Sequence, residues 1–362
     1  MDQKLQDKLN KRKQEGTLRS LSCLSEHVDF YSNDYLGFSK FPQNRGQQKV
    51  SSGSTGSRLI SGTSNAALEA EEFLAKFFHA ASALIFNSGY DANIGFFSAV
   101  PQKGDTVFYD EFIHASVRDG VRLSFANSFS FKHNDIVDLE MKLVKTEGVK
   151  YVVIESLYSM DGDFSPLVEI AELCVKSNTY LIVDEAHSCG VFGSNGRGLV
   201  SELGLEKSVF ARIVTFGKAY GLHGACVLGE QDLITFLLNF ARSFIYTTAL
   251  PPDVYEDISR NVGHPLVNEN RLRLNQVITF FRYSIRNVLL VSDEKSPIQL
   301  IRIGDVGQTQ NLSKILQENR LAVKPIYSPT VPVGSEGIRI CLHAFNTFEE
   351  VNRLVQTISK NS

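Results

Sequence analysis

The chain has 362 residues, long enough to bury one large core and a smaller second one. With 43% hydrophobic and 21% charged residues, its composition is that of a compact globular protein, which excludes wholesale disorder and a fibrous architecture. The 37 Lys and Arg residues nearly balance 40 Asp and Glu residues, and the net charge of -3 indicates no basic surface for nucleic acid or an anionic membrane. A small-molecule substrate is therefore expected.

The N-terminus and the cysteines indicate a cytoplasmic protein. Residues 1–4 run into charged residues rather than the apolar segment of a secretory signal. No apolar run approaches the roughly 20 residues that span a bilayer. The cysteines are odd in number and lack C-x-x-C spacing, which argues against a disulfide framework and a structural zinc site; they are Cys23, Cys174, Cys189, Cys226 and Cys341. We expect no metal.

Residues 1–45 are predicted to form a helical arm, with weak helical spacing at Leu5, Leu9 and Leu18. Residues 46–250 then alternate between short apolar runs rich in β-branched side chains and stretches with helical spacing. The predicted strands are 83–86, 106–109, 151–154, 180–183, 212–216 and 225–228. The predicted helices include 66–78, 135–146 and 167–176. This alternation predicts a large α/β domain whose mostly parallel sheet carries helices on both faces.

The pattern changes at the pair Pro251 and Pro252, where a smaller α+β domain over residues 251–362 is predicted to begin. A long amphipathic helix is expected first, carrying Ile278, Phe280, Phe281, Ile285 and Val288. Strands at 298–303 and 337–341, a helix at 308–318 and a terminal helix from Thr347 follow.

Ligands of open α/β sheets bind at the carboxyl ends of the strands, and unusual polar groups follow three of the predicted strands. Asp184 and His187 come directly after one strand, where an acid could meet a cationic ring nitrogen and the histidine a hydroxyl on the same ring. A cap on the next turn and a packed histidine are equally good readings. Lys218 ends another strand beside Gly217; it could form a Schiff base if desolvated, although such a lysine is more often solvated.

The segment from Asn87 to Asn93 turns from a strand into a predicted helix, whose free N–H groups would favour a phosphate. An ordinary turn is the alternative. Neither a G-x-G-x-x-G dinucleotide fingerprint nor a P-loop is present, so nucleotide binding is not indicated. A phosphate site, an acid and a lysine after successive strands are the parts that hold pyridoxal 5'-phosphate (PLP).

Several motifs, in order, resemble the α-oxoamine synthases of the fold-type I PLP enzymes. The matching segments are 32–37, 53–62, 87–90, 114–116, 159–163, 184–187, 215–218, 246–248 and 329–332. The resemblance implies a fold-type I transferase. It is greatest to members that condense L-alanine with a pimeloyl thioester, on CoA or an acyl-carrier protein, in biotin synthesis. Two alternatives stay open. The chain could resemble members that join glycine or serine to other acyl groups, or it could be a catalytically silent regulatory subunit.

The same resemblance implies a role for each matching residue. Lys218 would bond the cofactor aldehyde and later remove the Cα proton, and Asp184 would keep the pyridine nitrogen protonated. His114 would stack on the ring and His187 would bond its phenolic oxygen. The remaining cofactor contacts would come from Gly89, Tyr90, Ser159, Thr215 and Thr248.

Thr248 would reach the phosphate of a neighbouring subunit, which implies a homodimer with shared active sites. Arg339 would bind the amino-acid carboxylate with help from Asn33, and Thr330 and Arg19 would meet substrate, Arg19 at the distal end of the acyl chain. Four positions depart from the family pattern in segments that shape substrate entry; they are Ala67, Tyr327, Ser328 and Gly337.

Overall fold

The computed structural model describes residues 2–19, 24–41, 53–328 and 330–361. Cys23, Pro329 and residues 42–45 of the predicted arm lie outside the described residues. The chain divides into two compact units. The first comprises Met1–Tyr35, Ser159–Asp163 and Leu272–Ser362, and the second comprises Leu36–Tyr158 and Phe164–Arg271.

The helices predicted at 66–78, 135–146, 167–176 and 308–318 begin and end within two residues of helices in the structure, whereas the helices Ala115–Leu123, Leu199–Glu202, Gln231–Phe240 and Arg242–Ile245 were not predicted. The described residues contain thirteen α-helices. In chain order they are α1 (Gln3–Gln14), α2 (Asn65–Phe77), α3 (Gly89–Ala99), α4 (Ala115–Leu123), α5 (Ile136–Val144), α6 (Leu167–Lys176), α7 (Leu199–Glu202), α8 (Gln231–Phe240), α9 (Arg242–Ile245), α10 (Pro252–Val262), α11 (Leu266–Ser284), α12 (Val306–Glu318) and α13 (Phe348–Asn361).

The strands likewise match the predicted apolar runs, and four further strands were not predicted. They are β1 (Val28–Asp29), β2 (Ser82–Phe86), β3 (Thr106–Asp110), β4 (Asn127–Phe131), β5 (Lys150–Glu155), β6 (Tyr180–Asp184), β7 (Ala211–Thr215), β8 (Ala225–Gly229), β9 (Ile298–Arg302), β10 (Leu321–Ala322), β11 (Lys324–Ile326) and β12 (Gly337–Cys341).

Two predicted helices were too long. The arm helix α1 stops at Gln14, before Leu18, because Gly16 adopts a positive φ of 67° that a helix cannot continue through. The helix predicted after the proline pair is two helices, α10 and α11, and α11 ends at Ser284. Ile285 and Val288 therefore lie beyond it, in a segment where Asn287 has a positive φ of 61° that an α-helix does not contain.

The second unit contains a sheet of seven strands within the described residues, in the order β2-β8-β7-β6-β5-β3-β4. Adjacent pairs from β7 to β4 are parallel, and β8 runs antiparallel to both of its neighbours. Side chains alternate between two buried clusters, so Val153 and Ile182 belong to one while Val152 and Val183 belong to the other. Burial on both faces explains the continuous apolar runs and confirms the predicted α/β fold class.

The first unit contains an antiparallel sheet in the order β11-β12-β9 and a short parallel pair, β1 with β10. The unit boundaries differ from the domain boundaries predicted at 45/46 and 250/251. Helix α10 packs against α2 and stays with the second unit, whereas Ser159–Asp163 belongs to the first. Spacing along the chain carries no information on such long-range packing.

Within the described ranges, Cys174, Cys189, Cys226 and Cys341 are unbridged and buried. The same ranges contain no group of three or more His, Cys, Asp and Glu side chains arranged to hold a metal ion. No helix in the described part of the chain has the length and apolar character that crossing a membrane requires.

Candidate active site

The carboxyl edge of the large sheet brings together most of the predicted cofactor residues. Asp184 is the last residue of β6, and Thr215 is the last of β7. Gly89 begins α3 after β2, and His114 caps α4 after β3. Because parallel strands end at one edge, residues far apart in sequence meet there.

Asp184 is 5% exposed, and both of its carboxylate oxygens accept hydrogen bonds. The Ala186 N–H donates to Oδ1 at 2.9 Å, and the Asn93 Nδ2 donates to Oδ2 at 3.0 Å. The contact with Ala186 is the local turn cap that the sequence left open, and the contact with Asn93 comes from another element, α3. The carboxylate is thus held in one orientation at the end of β6.

Lys218 lies next to His187, the second polar residue of the Asp184 motif. The Lys218 Nζ is 2.8 Å from the His187 Nε2. Lys218 is partly buried and His187 is 5% exposed, so the amine is not a solvated surface charge. Thr215, 8% exposed, donates from Oγ1 to the Ala186 carbonyl at 3.3 Å, which ties the end of β7 to the same loop.

His114 forms the other side of this edge. Its Nδ1 accepts from the Ser116 N–H at 3.3 Å and lies 2.7 Å from the Ser116 Oγ. Removal of the ring from bulk water lowers the pKa of His114 below its ordinary value, and the positive charge of Lys218 acts in the same direction. The carboxylates of Asp184 and Asp119 oppose that shift. The ring is therefore neutral near pH 7.

The start of α3 is closely packed against β7. Ser88 caps the helix by accepting from the Asp91 N–H, and a Cβ added to Gly89 would lie 2.7 Å from the Thr215 Cγ2. Glycine therefore keeps backbone N–H groups accessible where a bulkier residue would collide. Tyr90 is 48% exposed, and its hydroxyl donates to the Asp119 Oδ2 at 2.7 Å.

Thr248 lies at the surface of the second unit. Its carbonyl accepts from the Asn87 Nδ2 at 2.8 Å, and the Thr247 Oγ1 accepts from the same nitrogen at 3.1 Å. The turn that precedes α3 therefore holds the predicted intersubunit residue, and the Thr248 side chain is exposed.

The predicted amino-acid residues meet in the first unit. Arg339, 5% exposed on β12, donates from Nη2 to the Asn33 Oδ1 at 3.0 Å and from Nε to the Ser159 carbonyl at 2.7 Å. Its Nη1 lies 2.9 Å from the Cys341 Sγ. The carbonyl of Ser159, a residue predicted to contact the cofactor, thus accepts a hydrogen bond from this guanidinium.

Two other predicted substrate residues also lie together in that unit. The Arg19 Nη2 is 3.5 Å from the Thr330 Oγ1, and both residues are exposed. Of the four positions that depart from the family pattern, Gly337 has a structural explanation, since a Cβ there would lie 2.1 Å from the Ile301 carbonyl on the adjacent strand. Ala67 is buried in the first turn of α2, and Tyr327 and Ser328 are half-buried.

Sequence reasoning missed Asn93 and Ser116, although both stand in recognised motifs. Asn93 follows Gly89 by four residues on α3, one helical turn, and so lies on the same face of the helix. That spacing was the available signal. Ser116 is two residues after His114, where an N-cap commonly bonds the backbone.

The residues at this edge fit PLP. A buried carboxylate can face the ring nitrogen, a partly buried amine can bond the aldehyde, and an imidazole beside that amine can reach the phenolic oxygen. The glycine at the start of α3 leaves a space, bounded by Thr215, that a Cβ would fill. Each group has the chemistry that one part of the cofactor requires.

Comparison with known proteins agrees with this assignment. Residues 25–358 match the sequence model of the aminotransferase class I and II family. The chain is 39% identical to an 8-amino-7-oxononanoate synthase from Emericella nidulans, over 98% of this chain and 94% of that protein.

Two solved structures extend the likeness to three dimensions. An 8-amino-7-oxononanoate synthase from Francisella tularensis is 33% identical, with a TM-score of 0.79 over 92% of this chain and 97% of that chain. A serine palmitoyltransferase variant from S. paucimobilis, with bound PLP and myriocin, is 27% identical, with a TM-score of 0.90 over 99% of this chain and 96% of that chain. The chain therefore belongs to the aminotransferase class I and II family and, within it, to the α-oxoamine synthases.

Proposed function

We propose that the protein is a PLP-dependent C-acyltransferase that condenses L-alanine with a pimeloyl thioester to give 8-amino-7-oxononanoate for biotin synthesis. The observation that carries the proposal is the grouping of Lys218, His187 and buried Asp184 at one edge of the sheet. The curated relatives, at 34–39% identity over most of the chain, support the choice of substrates.

The cofactor, when bound, supplies the electron sink that stabilises negative charge at the Cα of the amino acid. The Asp184 carboxylate would accept a hydrogen bond from the protonated ring nitrogen and so keep that nitrogen positively charged. Lys218 would hold the cofactor through its aldehyde and would act as the base for the Cα proton of the amino acid. His187, beside Lys218, would donate to the phenolic oxygen, and His114 would cover one face of the ring.

Gly89, Tyr90 and Thr215 would bind the phosphate end of the cofactor. The N–H groups of the first turn of α3 suit an anion because the helix dipole is positive there. The carbonyl of Ser159 accepts a hydrogen bond from Arg339 and so orients that guanidinium.

Arg339 binds the carboxylate of the amino acid, since a guanidinium offers parallel N–H groups to two oxygens. Asn33 holds that guanidinium in position by accepting one of its hydrogen bonds. Arg19, beside Thr330, binds the distal carboxylate of the pimeloyl chain, a group that palmitoyl and acetyl chains lack. The carrier of the acyl group is CoA or an acyl-carrier protein.

In the proposed homodimer, Thr248 would contact the phosphate of the cofactor held by the partner subunit. Exposed apolar side chains near Thr248 support this arrangement, because monomers rarely expose several such groups together. Ile60 is 85% exposed and Tyr246 is 72% exposed, and the Ala249 N–H donates to the Gly56 carbonyl, which joins their two segments. Four free, buried cysteines in the described residues suit a reducing, cytoplasmic compartment.

The cofactor assignment is tested by colour and mass. Purified protein loaded with PLP should absorb visible light and, after borohydride reduction, should carry the adduct on the peptide that contains Lys218. Lys218→Ala should lose the adduct, while Lys207→Ala, which removes an exposed lysine in the same unit, should keep it. An adduct on another peptide, or none, contradicts the proposal and favours a silent subunit.

The substrate assignment is tested with a panel of amino acids and thioesters. Alanine with pimeloyl-CoA or pimeloyl-carrier protein should release carbon dioxide and the aminoketone at the highest kcat/KM. Serine with palmitoyl-CoA is the most informative alternative pair, because the structure of a serine palmitoyltransferase superposes on this chain with a TM-score of 0.90. Preference for that pair, or for glycine with acetyl-CoA, would refute the proposed substrates.

A further inference from the structure

Asn93 and Ser116 connect the two predicted cofactor residues that lie on either side of the sheet edge. The Asn93 Nδ2 donates to the Asp184 Oδ2 at 3.0 Å and to the Ser116 Oγ at 2.9 Å. The Ser116 Oγ in turn lies 2.7 Å from the His114 Nδ1. A continuous chain of hydrogen bonds, which we call the Asn93 relay, thus runs from Asp184 to His114.

The direction of every bond in the Asn93 relay is determined by chemistry. An ionised carboxylate only accepts, so the amide nitrogen of Asn93 must face Asp184. That nitrogen has two hydrogens, and the second goes to the Ser116 Oγ. The Ser116 backbone N–H donates to the His114 Nδ1 at 3.3 Å, so Nδ1 is an acceptor, and the Ser116 hydroxyl 2.7 Å away donates to it as well. A neutral His114 therefore carries its proton on Nε2.

The relay is buried, and it leaves one polar atom unsatisfied. Asn93 is 2% exposed and Ser116 is 0% exposed. Within the described residues the Asn93 Oδ1 has no hydrogen-bond partner. A buried acceptor without a partner costs stability, and rotating the amide would turn this oxygen against the carboxylate of Asp184. Stability alone therefore does not account for an asparagine here, whereas the needs of Asp184 and His114 do.

A fixed tautomer matters because His114 is the residue predicted to cover the cofactor ring. A neutral imidazole can lie on a positively charged pyridine ring without adding a second cation. The charged groups that act on His114 are Asp184, Asp119 and Lys218. Protonating Nδ1 would force the Ser116 hydroxyl to turn away from it, so the relay favours the neutral ring.

We propose that Asn93 and Ser116 are positioning residues: together they orient Asp184 as a carboxylate and hold His114 neutral with its proton on Nε2. The inference rests on the proposed function, because Asp184 and His114 are its cofactor residues. It adds a requirement that the proposed function does not make, namely one tautomer of one histidine.

The experiment is NMR of the full-length chain labelled with ¹⁵N-histidine, before and after loading with PLP. His114 is assigned with His114→Gln, and the other seven histidines report on correct folding. In the unmodified chain we expect the Nε2–H tautomer of His114 alone. Ser116→Ala keeps only the longer backbone N–H contact with Nδ1, at 3.3 Å, so the signals should change to a mixture of tautomers and the pKa of His114 should rise toward 6.5, the ordinary imidazole value. Ser116→Thr keeps the hydroxyl and should restore the single tautomer.

Asn93→Asp tests the other end of the relay by placing a second carboxyl group beside Asp184. We expect a raised pKa of His114 and a shifted pH midpoint for the visible absorbance of the PLP-loaded protein. Asn261→Asp is the matched control, since Asn261 is equally buried and donates to the Tyr220 carbonyl instead. Ser124→Ala removes a hydroxyl at the other end of α4 and controls for Ser116→Ala.

An unchanged His114 tautomer and pKa in both Ser116→Ala and Asn93→Asp would overturn the inference, as would an Nδ1–H tautomer in the unmodified chain. Equal changes in the control variants would also overturn it, because they would show a general loosening of the fold. The NMR result on the chain before loading does not depend on cofactor. A protein that never binds PLP would therefore refute the proposed function while the relay was still measured.

Discussion

Replacing Arg212 with methionine should remove a large part of the stability of the second unit. Arg212 and Glu185 form an ion pair whose side chains are 5% and 0% exposed, with 2.6 Å between the Arg212 Nη2 and the Glu185 Oε2. Burial disfavours the charge on Arg212, but the carboxylate of Glu185 outweighs that effect and raises the pKa of Arg212 above its ordinary value. The two charges are therefore stable only together.

The expected loss follows from what Arg212→Met leaves behind. Glu185 stays buried without a counter-charge, which costs about 3–5 kcal/mol in comparable pairs. The carbonyls of Phe78 and Arg197 also lose a donor, so the upper half of that range is expected. The measurement is a urea unfolding curve, in which the midpoint should fall at an unchanged slope.

A second variant and a control separate the charge effect from lost packing. Replacing both residues, as Arg212→Met with Glu185→Leu, removes both charges but leaves the Val200 N–H without its acceptor and takes one of several partners from the Ser188 hydroxyl. We expect this double variant to recover only part of the loss. Arg122→Met breaks an exposed pair with Asp119 and should cost about 0–1 kcal/mol. A loss below about 1 kcal/mol in Arg212→Met would refute the reasoning, because the pair would not then be desolvated.

Three further predictions concern the site and the first unit. Gly89→Ala should weaken PLP binding in a fluorescence titration by about 1–3 kcal/mol because of its collision with Thr215, whereas Gly53→Ala, where a methyl group meets nothing within 4 Å, should not. Arg339→Lys should raise KM for the amino acid roughly tenfold to a hundredfold with a smaller change in kcat, because a lysine ammonium cannot offer two parallel N–H groups to both carboxylate oxygens; an unchanged KM would exclude carboxylate binding there. The pKa of Asp29 is lowered: burial raises it, but the charge of His343 and hydrogen bonds from Ser32 and Tyr31 outweigh burial. The ionised Asp29 therefore stabilises the folded state fully above pH 3.8, its pKa in the unfolded chain, and this stabilisation is lost as the pH falls through the folded pKa. In Asp29→Asn the free energy of unfolding should fall less steeply below about pH 4, and an equally steep fall would contradict this.

The elements were largely predictable, because burial on both faces of a parallel sheet leaves an apolar run and packed helices leave a repeat of 3.6 residues. The failures are equally physical. The edge strand β4 reads Asn-Ser-Phe-Ser-Phe and is mostly exposed, so it carried no apolar run. The predicted helix extends beyond the end of α11 because hydrophobic residues continue past Ser284. The positive φ of Asn287 cannot be predicted from hydrophobicity.

The cofactor residues were predictable to a different degree. Lys218, Asp184 and His187 follow predicted strands, so the rule that ligands meet strand ends was enough to single them out. The contact of the Ser159 side chain with the cofactor stays a prediction, and the structure adds that the Ser159 carbonyl accepts from the Arg339 Nε. Motif matching identifies the segment but does not predict the contacts of its backbone.

Periodicity and the polar residues at strand ends were sufficient to predict the α/β architecture and to single out Lys218, Asp184 and His187. These features depend on short segments whose hydrophobic pattern directly indicates which residues are buried. The Asn93 relay, the buried pair of Arg212 with Glu185 and the division into two units were decided by folding in three dimensions. Asn93 and Asp184 are 91 residues apart and come within hydrogen-bond distance only because α3 packs at the end of β6. That proximity depends on the order of strands in the sheet, and local spacing along a chain does not encode strand order.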